Sequence, residues 1–163
     1  MKTQLIALSL GLLTVASANA NLIVNGSFED LGAGSFNGSG WNYFTSVPGW
    51  TPATGSPNIE IGQASVYGVS GQDGNNVMEL DSTFNVTVNQ PITSDASSYT
   101  LSFLYAGRKG IATDSETFNV LWNGTVIASV SPSYNDGGAA MTSYLLTFDA
   151  GNGVGVLSFA GTG

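Results

Sequence analysis

Beyond residue 20 the apolar positions recur every second residue, the period of a half-buried strand rather than of a helix. Tyr99, Leu101, Phe103 and Tyr105 fall on one face of an extended Ser98–Tyr105, with Thr100 and Ser102 on the other. Phe118, Val120 and Trp122 alternate with Asn119 and Leu121, and Asn123-Gly124 then leads into Thr125–Val130. Asn-Gly between β-rich runs predicts a tight hairpin, because both central residues of a type I′ turn need positive φ. Further strands are predicted at 22–24, 58–62, 76–81, 84–92, 141–148 and 154–159.

About nine short strands joined by Gly, Ser, Asn, Asp and Pro clusters predict an all-β chain. The expected architecture is an antiparallel two-sheet sandwich of jelly-roll type. A parallel α/β sheet would need crossover helices, and the connections hold no convincing helical pattern. The exception to the short spacing is 31–57, rich in Gly, Ser and Pro, which carries Trp41, Tyr43, Phe44 and Trp50. A connection this long in a compact domain is usually functional or partly disordered. After 154–159 only Ala160-Gly161-Thr162-Gly163 remain, which read as a turn toward a further strand, so a domain lacking its closing strand is expected.

The opening 20 residues are different. Lys2 precedes the apolar run Leu5 to Leu13, and small residues ending Ala18-Asn19-Ala20 have the form of a signal-peptidase site. The run is too short to span a bilayer. We expect a secretory leader at 1–20, a single domain at 21–163 with no membrane insertion, and a secreted or cell-surface location. Without cysteine, the exported domain is held by packing, or by packing plus a metal.

Charge narrows the partners. Past the leader only Arg108 and Lys109 face 11 acids, so nucleic acid, which needs clustered Lys and Arg, is not an expected partner. A monomer is expected.

Histidine and cysteine are both absent, which removes the commonest general base and the thiol nucleophile. Glu29, Glu60, Glu79, Asp81 and Glu116 would supply the paired carboxylates of a glycosidase, but spacing in sequence does not put any two across a cleft. Trp41, Tyr43, Tyr67 and Tyr134 sit in expected loops, where rings can stack on sugar faces. Trp50, Phe103 and Trp122 read as core. Arg108 could bind a carboxylate or sugar hydroxyls, or form a salt bridge with one of the acids.

Several motifs occur in order: Asn21-Leu22-Ile23-Val24-Asn25-Gly26-Ser27-Phe28-Glu29, Val47-Pro48-Gly49-Trp50, Asn58-Ile59-Glu60-Ile61, Gly74-Asn75-Asn76-Val77-Met78-Glu79-Leu80-Asp81, and Val88-Asn89-Gln90-Pro91-Ile92 before Tyr99-Thr100-Leu101-Ser102-Phe103. The series resembles the domain-of-unknown-function 642 family, found in plant cell walls and in bacterial exported proteins, often ahead of a PEP-CTERM sorting tail. Its opening is also similar to that of the carbohydrate-binding modules of xylanases and cellulases. The resemblance implies a galactose-binding-domain-like jelly roll that binds polysaccharide at the cell surface or in the extracellular matrix without hydrolysing it. For such a ligand the loop aromatics Trp41, Tyr43, Tyr67 and Tyr134, with Arg108, are the binding candidates read from the residues themselves. In the related modules the Glu after Phe helps ligate a structural Ca2+ with an Asp from the last strand. Glu29 matches the first position, and no residue here matches the second. The competing expectation is a structural or adhesion protein that binds other proteins.

Overall fold

The computed structural model describes residues 21–95, 97–108, 110–111, 116–131 and 140–163. The expected leader at 1–20 and Tyr134 lie outside them. Ten strands and one short helix follow in the order β1 (Trp41–Phe44), β2 (Thr51–Pro52), β3 (Ile59–Gln63), α1 (Ala64–Tyr67), β4 (Asn76–Glu79), β5 (Thr87–Ser94), β6 (Ser98–Tyr105), β7 (Phe118–Trp122), β8 (Thr125–Val130), β9 (Thr142–Asp149) and β10 (Gly153–Gly161). The strands form a three-stranded sheet β1-β3-β4, a five-stranded sheet β2-β5-β10-β7-β8 and a pair β6-β9. Every strand pair is antiparallel.

One core joins all three sheets: Phe44, Ile59 and Ile61 from the first, Val88, Val120 and Leu157 from the second, and Leu101 from the pair are all buried. The chain is therefore a β-sandwich, as the alternation predicts. β5 shows why the period matters. Val88, Gln90, Ile92 and Ser94 are buried while the residues between them are not. Pro91, which has no N–H to give, stands beyond the two β5 positions that β2 pairs, where β5 is an edge.

The hairpin between β7 and β8 turns as predicted, with Asn123 at φ 50° and Gly124 at φ 78°. Gly155, in the central strand, leaves room for the Trp122 indole: a Cβ there would fall 2.0 Å from its Cζ2. The indole Nε1–H donates to the Ala150 carbonyl at 3.0 Å, so the ring is tied at both ends.

Two expectations need correction. The segment 22–24 is not a strand. Its pairing is made by a side chain: Val24 N donates to Gln90 Oε1 at 2.8 Å, and Gln90 Nε2 donates to the Val24 carbonyl at 2.9 Å. The buried amide thus copies the reciprocal bonds of a strand edge and satisfies itself at the same time. The segment 31–57 contains β1 and β2, so Trp41 and Tyr43 lie on a strand and not in a loop.

Candidate functional site

Among the described residues β4 is the last strand of its sheet, and β6 has no partner on the side away from β9. Between them runs a cavity of about 520 Å³. Its deep wall is apolar and includes Trp50, Phe103, Leu157 and Phe159, whereas its mouth carries Tyr67, Gln72, Glu79 and Arg108.

The mouth is built from alternation in β3 and β4. Ile59 and Ile61 enter the core, which turns Glu60 and Gly62 to the opposite face of the sheet, where both are also buried. The register sets Glu60 directly opposite Glu79, and Tyr43 opposite Glu60 on the other side. Like charges placed so repel unless something intervenes. Tyr67, at the end of α1, donates its hydroxyl to Glu60 Oε1 at 2.8 Å. Arg108 Nη1 donates to Glu79 Oε1 at 2.9 Å, and its Cζ lies 5.2 Å from the Tyr67 ring centroid. Gly62 is what lets these rings meet. A Cβ there would fall 2.7 Å from Trp41 Cβ and 2.8 Å from the Tyr67 ring.

The electrostatics follow from this burial. Glu79 is pushed up to about 7, chiefly by desolvation; the Arg108 charge opposes the rise and the Glu60 charge adds to it. Burial and the Glu60 carboxylate likewise push the Tyr67 phenol well above its ordinary range. Glu116, whose carboxylate accepts the Arg108 backbone N–H, is also raised, first by burial. Among the described residues the buried acceptor Gln72 Oε1 at this mouth has no hydrogen-bond partner, whereas the Glu79 carboxyl, once protonated, is hydrogen-bonded to Glu60. Such an orphan is rare in folded proteins and calls for a donor from outside.

Of the residues named from sequence, Tyr67 and Arg108 come together, with Trp41 against the same face. Tyr67 is buried in α1 and not displayed on a loop. Trp41 and Tyr43 form an edge-to-face pair with ring centroids 5.2 Å apart. Tyr43 is 39% exposed, and its hydroxyl meets Ser82 Oγ at 3.3 Å and Thr83 Oγ1 at 3.2 Å. Arg108 forms an ion pair with Glu79 and also covers the Tyr67 ring. Nothing in the Gly-Gln-Asp-Gly turn marks Gln72, a half-buried residue whose Oε1 alone is buried. Glu60 and Glu79 were visible as acids, and the alternation of Ile59-Glu60-Ile61 was the signal that Glu60 faces away from the isoleucines; only the β3–β4 register sets Glu79 beside it.

Glu29 lies apart from the mouth. Its Oε1 accepts the backbone N–H groups of Asn75 at 2.7 Å and Asn76 at 2.8 Å, while Asn76 Nδ2 donates to the Phe28 carbonyl at 3.0 Å. The carboxylate latches the loop before β4 to the N-terminal segment. Among the described residues no group of three or more Asp or Glu gathers to hold a metal ion. Calcium takes six to eight oxygens, so one carboxylate already engaged with two amides does not fit that role alone.

Comparison of the chain with protein-family models, with curated proteins and with solved structures finds no match in any of the three. Among the described residues no helix is long and apolar enough to cross a membrane.

Proposed function

We propose that the protein is an exported, non-catalytic carbohydrate-binding module whose ligand is a polysaccharide of the cell surface or extracellular matrix. The observation that carries this reading is the buried, donorless acceptor Gln72 Oε1 at a mouth that also presents Glu79, Tyr67 and the Arg108 guanidinium. Sugar hydroxyls supply donors to such an acceptor, and the guanidinium supplies donors to ring and hydroxyl oxygens. The half-exposed Trp41 and Tyr43 rings beside it offer apolar faces to a pyranose. Catalysis is disfavoured because Glu60 is held by Tyr67 and Glu79 by Arg108, leaving neither carboxylate across an open gap from the other.

Affinity electrophoresis against a panel of neutral and acidic polysaccharides tests the proposal. Retardation by at least one glycan is expected, reduced about tenfold or more by Gln72→Leu or Arg108→Ala, since a site polar group left unpaired costs on the order of 1–3 kcal/mol. No retardation by any glycan would favour the alternative, a structural or adhesion protein that binds other proteins. Sugar release abolished by Glu79→Gln would instead make it a glycosidase.

A further inference from the structure

The outer strand of the β6-β9 pair differs from the other free edges of the molecule. β9 pairs with β6 residue for residue from Thr142 to Asp149 without a register shift, and among the described residues no strand reaches its other side. Such an edge presents a row of unpaired N–H and C=O groups that another strand can take up. The remaining edges are blunted. β2 has two residues and ends on Pro52, β1 has four, the register of β8 shifts beside Val120 and Leu121, and β4 and β6 border the cavity. β9 has eight residues and none of these devices: no proline, no lysine and no bulge.

The outward face of this edge is apolar where it should be guarded. Tyr144, Leu146 and Phe148 pack against the core, which turns Ser143, Leu145 and Thr147 to the outside. Leu145 is 73% exposed, and the register sets it diagonal to Leu104 of β6, itself 40% exposed. Both leucines leave water if the sheet continues past β9.

Charge and symmetry decide what continues it. The chain carries a formal net charge of −8, so most approaches of one copy to another are repulsive. β6 holds no charged residue, and β9 holds only Asp149, at its end. A basic partner therefore finds no acid to meet along the edge before Asp149. The uncharged stretch 142–148 is centred on Leu145. A copy laid antiparallel about a twofold axis through Leu145 pairs the whole stretch with itself: Thr142 with Phe148, Ser143 with Thr147, and Tyr144 with Leu146. In that register Asp149 falls opposite Met141, and the two Asp149 carboxylates stand about 27 Å apart, eight residues at roughly 3.4 Å each.

We infer that β9 is a homodimer edge, across which β6 and β9 of one protomer continue into β9 and β6 of its partner. At the axis Leu145 meets the partner subunit's Leu145. Beside it Ser143 meets the partner subunit's Thr147, hydroxyl to hydroxyl, as Thr100 and Thr147 already meet at 3.3 Å within the pair. A single strand pair falls short of the about 1,000 Å² of a lasting interface, so the dimer is expected to form in the micromolar range. This inference rests on the edge of β9 and stands apart from the carbohydrate reading of the mouth.

Sedimentation equilibrium from about 1 to about 300 μM is expected to show a monomer–dimer equilibrium and no larger species. Leu145→Lys sets like charges against each other on the axis while lowering the net charge that keeps copies apart. It is expected to weaken dimerisation about tenfold or more. Register is read by cross-linking, since the protein has no cysteine of its own. With a short bismaleimide, Leu145→Cys is expected to give covalent dimer by itself. Ser143→Cys and Thr147→Cys are expected to give it only when mixed, because each lies about 14 Å from its own copy, four residues at roughly 3.4 Å each. All three side chains are exposed, so the changes take nothing from the core, and far-UV circular dichroism checks the fold. Should Leu145→Lys not fold, the mixed cross-linking still decides. A monomer at every concentration, which is the expectation from sequence alone, overturns the inference. So does a dimer indifferent to Leu145→Lys, or equal cross-linking of Ser143→Cys and Thr147→Cys alone and mixed.

Discussion

Replacing Glu79 by glutamine should change how stability depends on pH. The folded chain raises this carboxyl from its ordinary value of 4.5 to about 7, first by burial. Because the folded pKa is the higher one, the folded state holds the proton more tightly. The associated stability is fully present below about pH 4.5 and is lost as pH rises through about 7. At about 1.4 kcal/mol per pH unit of displacement, an unscreened carboxyl would contribute about 3 kcal/mol. The side chain is 14% exposed and its Arg108 partner 44%, so solvent screening reduces the expected effect to about 1–2 kcal/mol. Urea unfolding followed by tryptophan fluorescence, repeated from about pH 4 to about pH 8, measures it. Glu79→Gln should match wild type at the acid end and exceed it by that amount above about pH 7. General repulsion among the acids is nearly common to both and cancels in the difference. Arg108→Met, which removes the charge opposing the rise, should move the transition to higher pH. Parallel pH profiles for wild type and Glu79→Gln would refute the assignment of a buried, protonated carboxyl at this mouth.

Further tests address the structure that supports the site. Glu29→Ala strands the Asn75 and Asn76 amides and should cost about 1–3 kcal/mol equally with calcium and with chelator; a calcium-dependent rise in Tm confined to wild type would instead make the carboxylate an ion ligand. Gln90→Ala removes both bonds to Val24 and should lower stability by about 2 kcal/mol while exposing the segment before Asp30 to limited proteolysis. Gly155→Ala drives a Cβ into the Trp122 indole and should cost about 1–3 kcal/mol in thermal unfolding, with a red shift in emission as the ring is displaced.

Much of the sandwich was legible because strand formation here rests on local alternation. Tyr99, Leu101, Phe103 and Tyr105 do share the inward face of β6, and Asn123-Gly124 does turn the hairpin. Trp50 and Trp122 are buried as expected. The misreadings share a physical cause. At 22–24 an apolar run looks like a strand, but its partner is a side chain 66 residues away, and no local pattern records that. In 31–57 the Gly and Pro content hid β1, whose pairing with β3 outweighs weak local propensity.

The site divides in the same way. By itself the sequence determined the class of fold, the scarcity of cations, the absence of histidine and cysteine, and the supply of acids and aromatic rings. Only the tertiary structure decided which acids meet. Register set Glu60 against Glu79, the missing Cβ of Gly62 let Trp41 and Tyr67 approach, and the chain after β6 brought Arg108 over the Tyr67 ring and onto Glu79. Whether a carboxyl is charged depends on the water and charge around it, and those are set by packing between segments far apart in the chain. Glu29 shows the limit most plainly. Its place beside Phe28 was readable, but its partners, the amides of Asn75 and Asn76, became neighbours only once the chain had closed on itself.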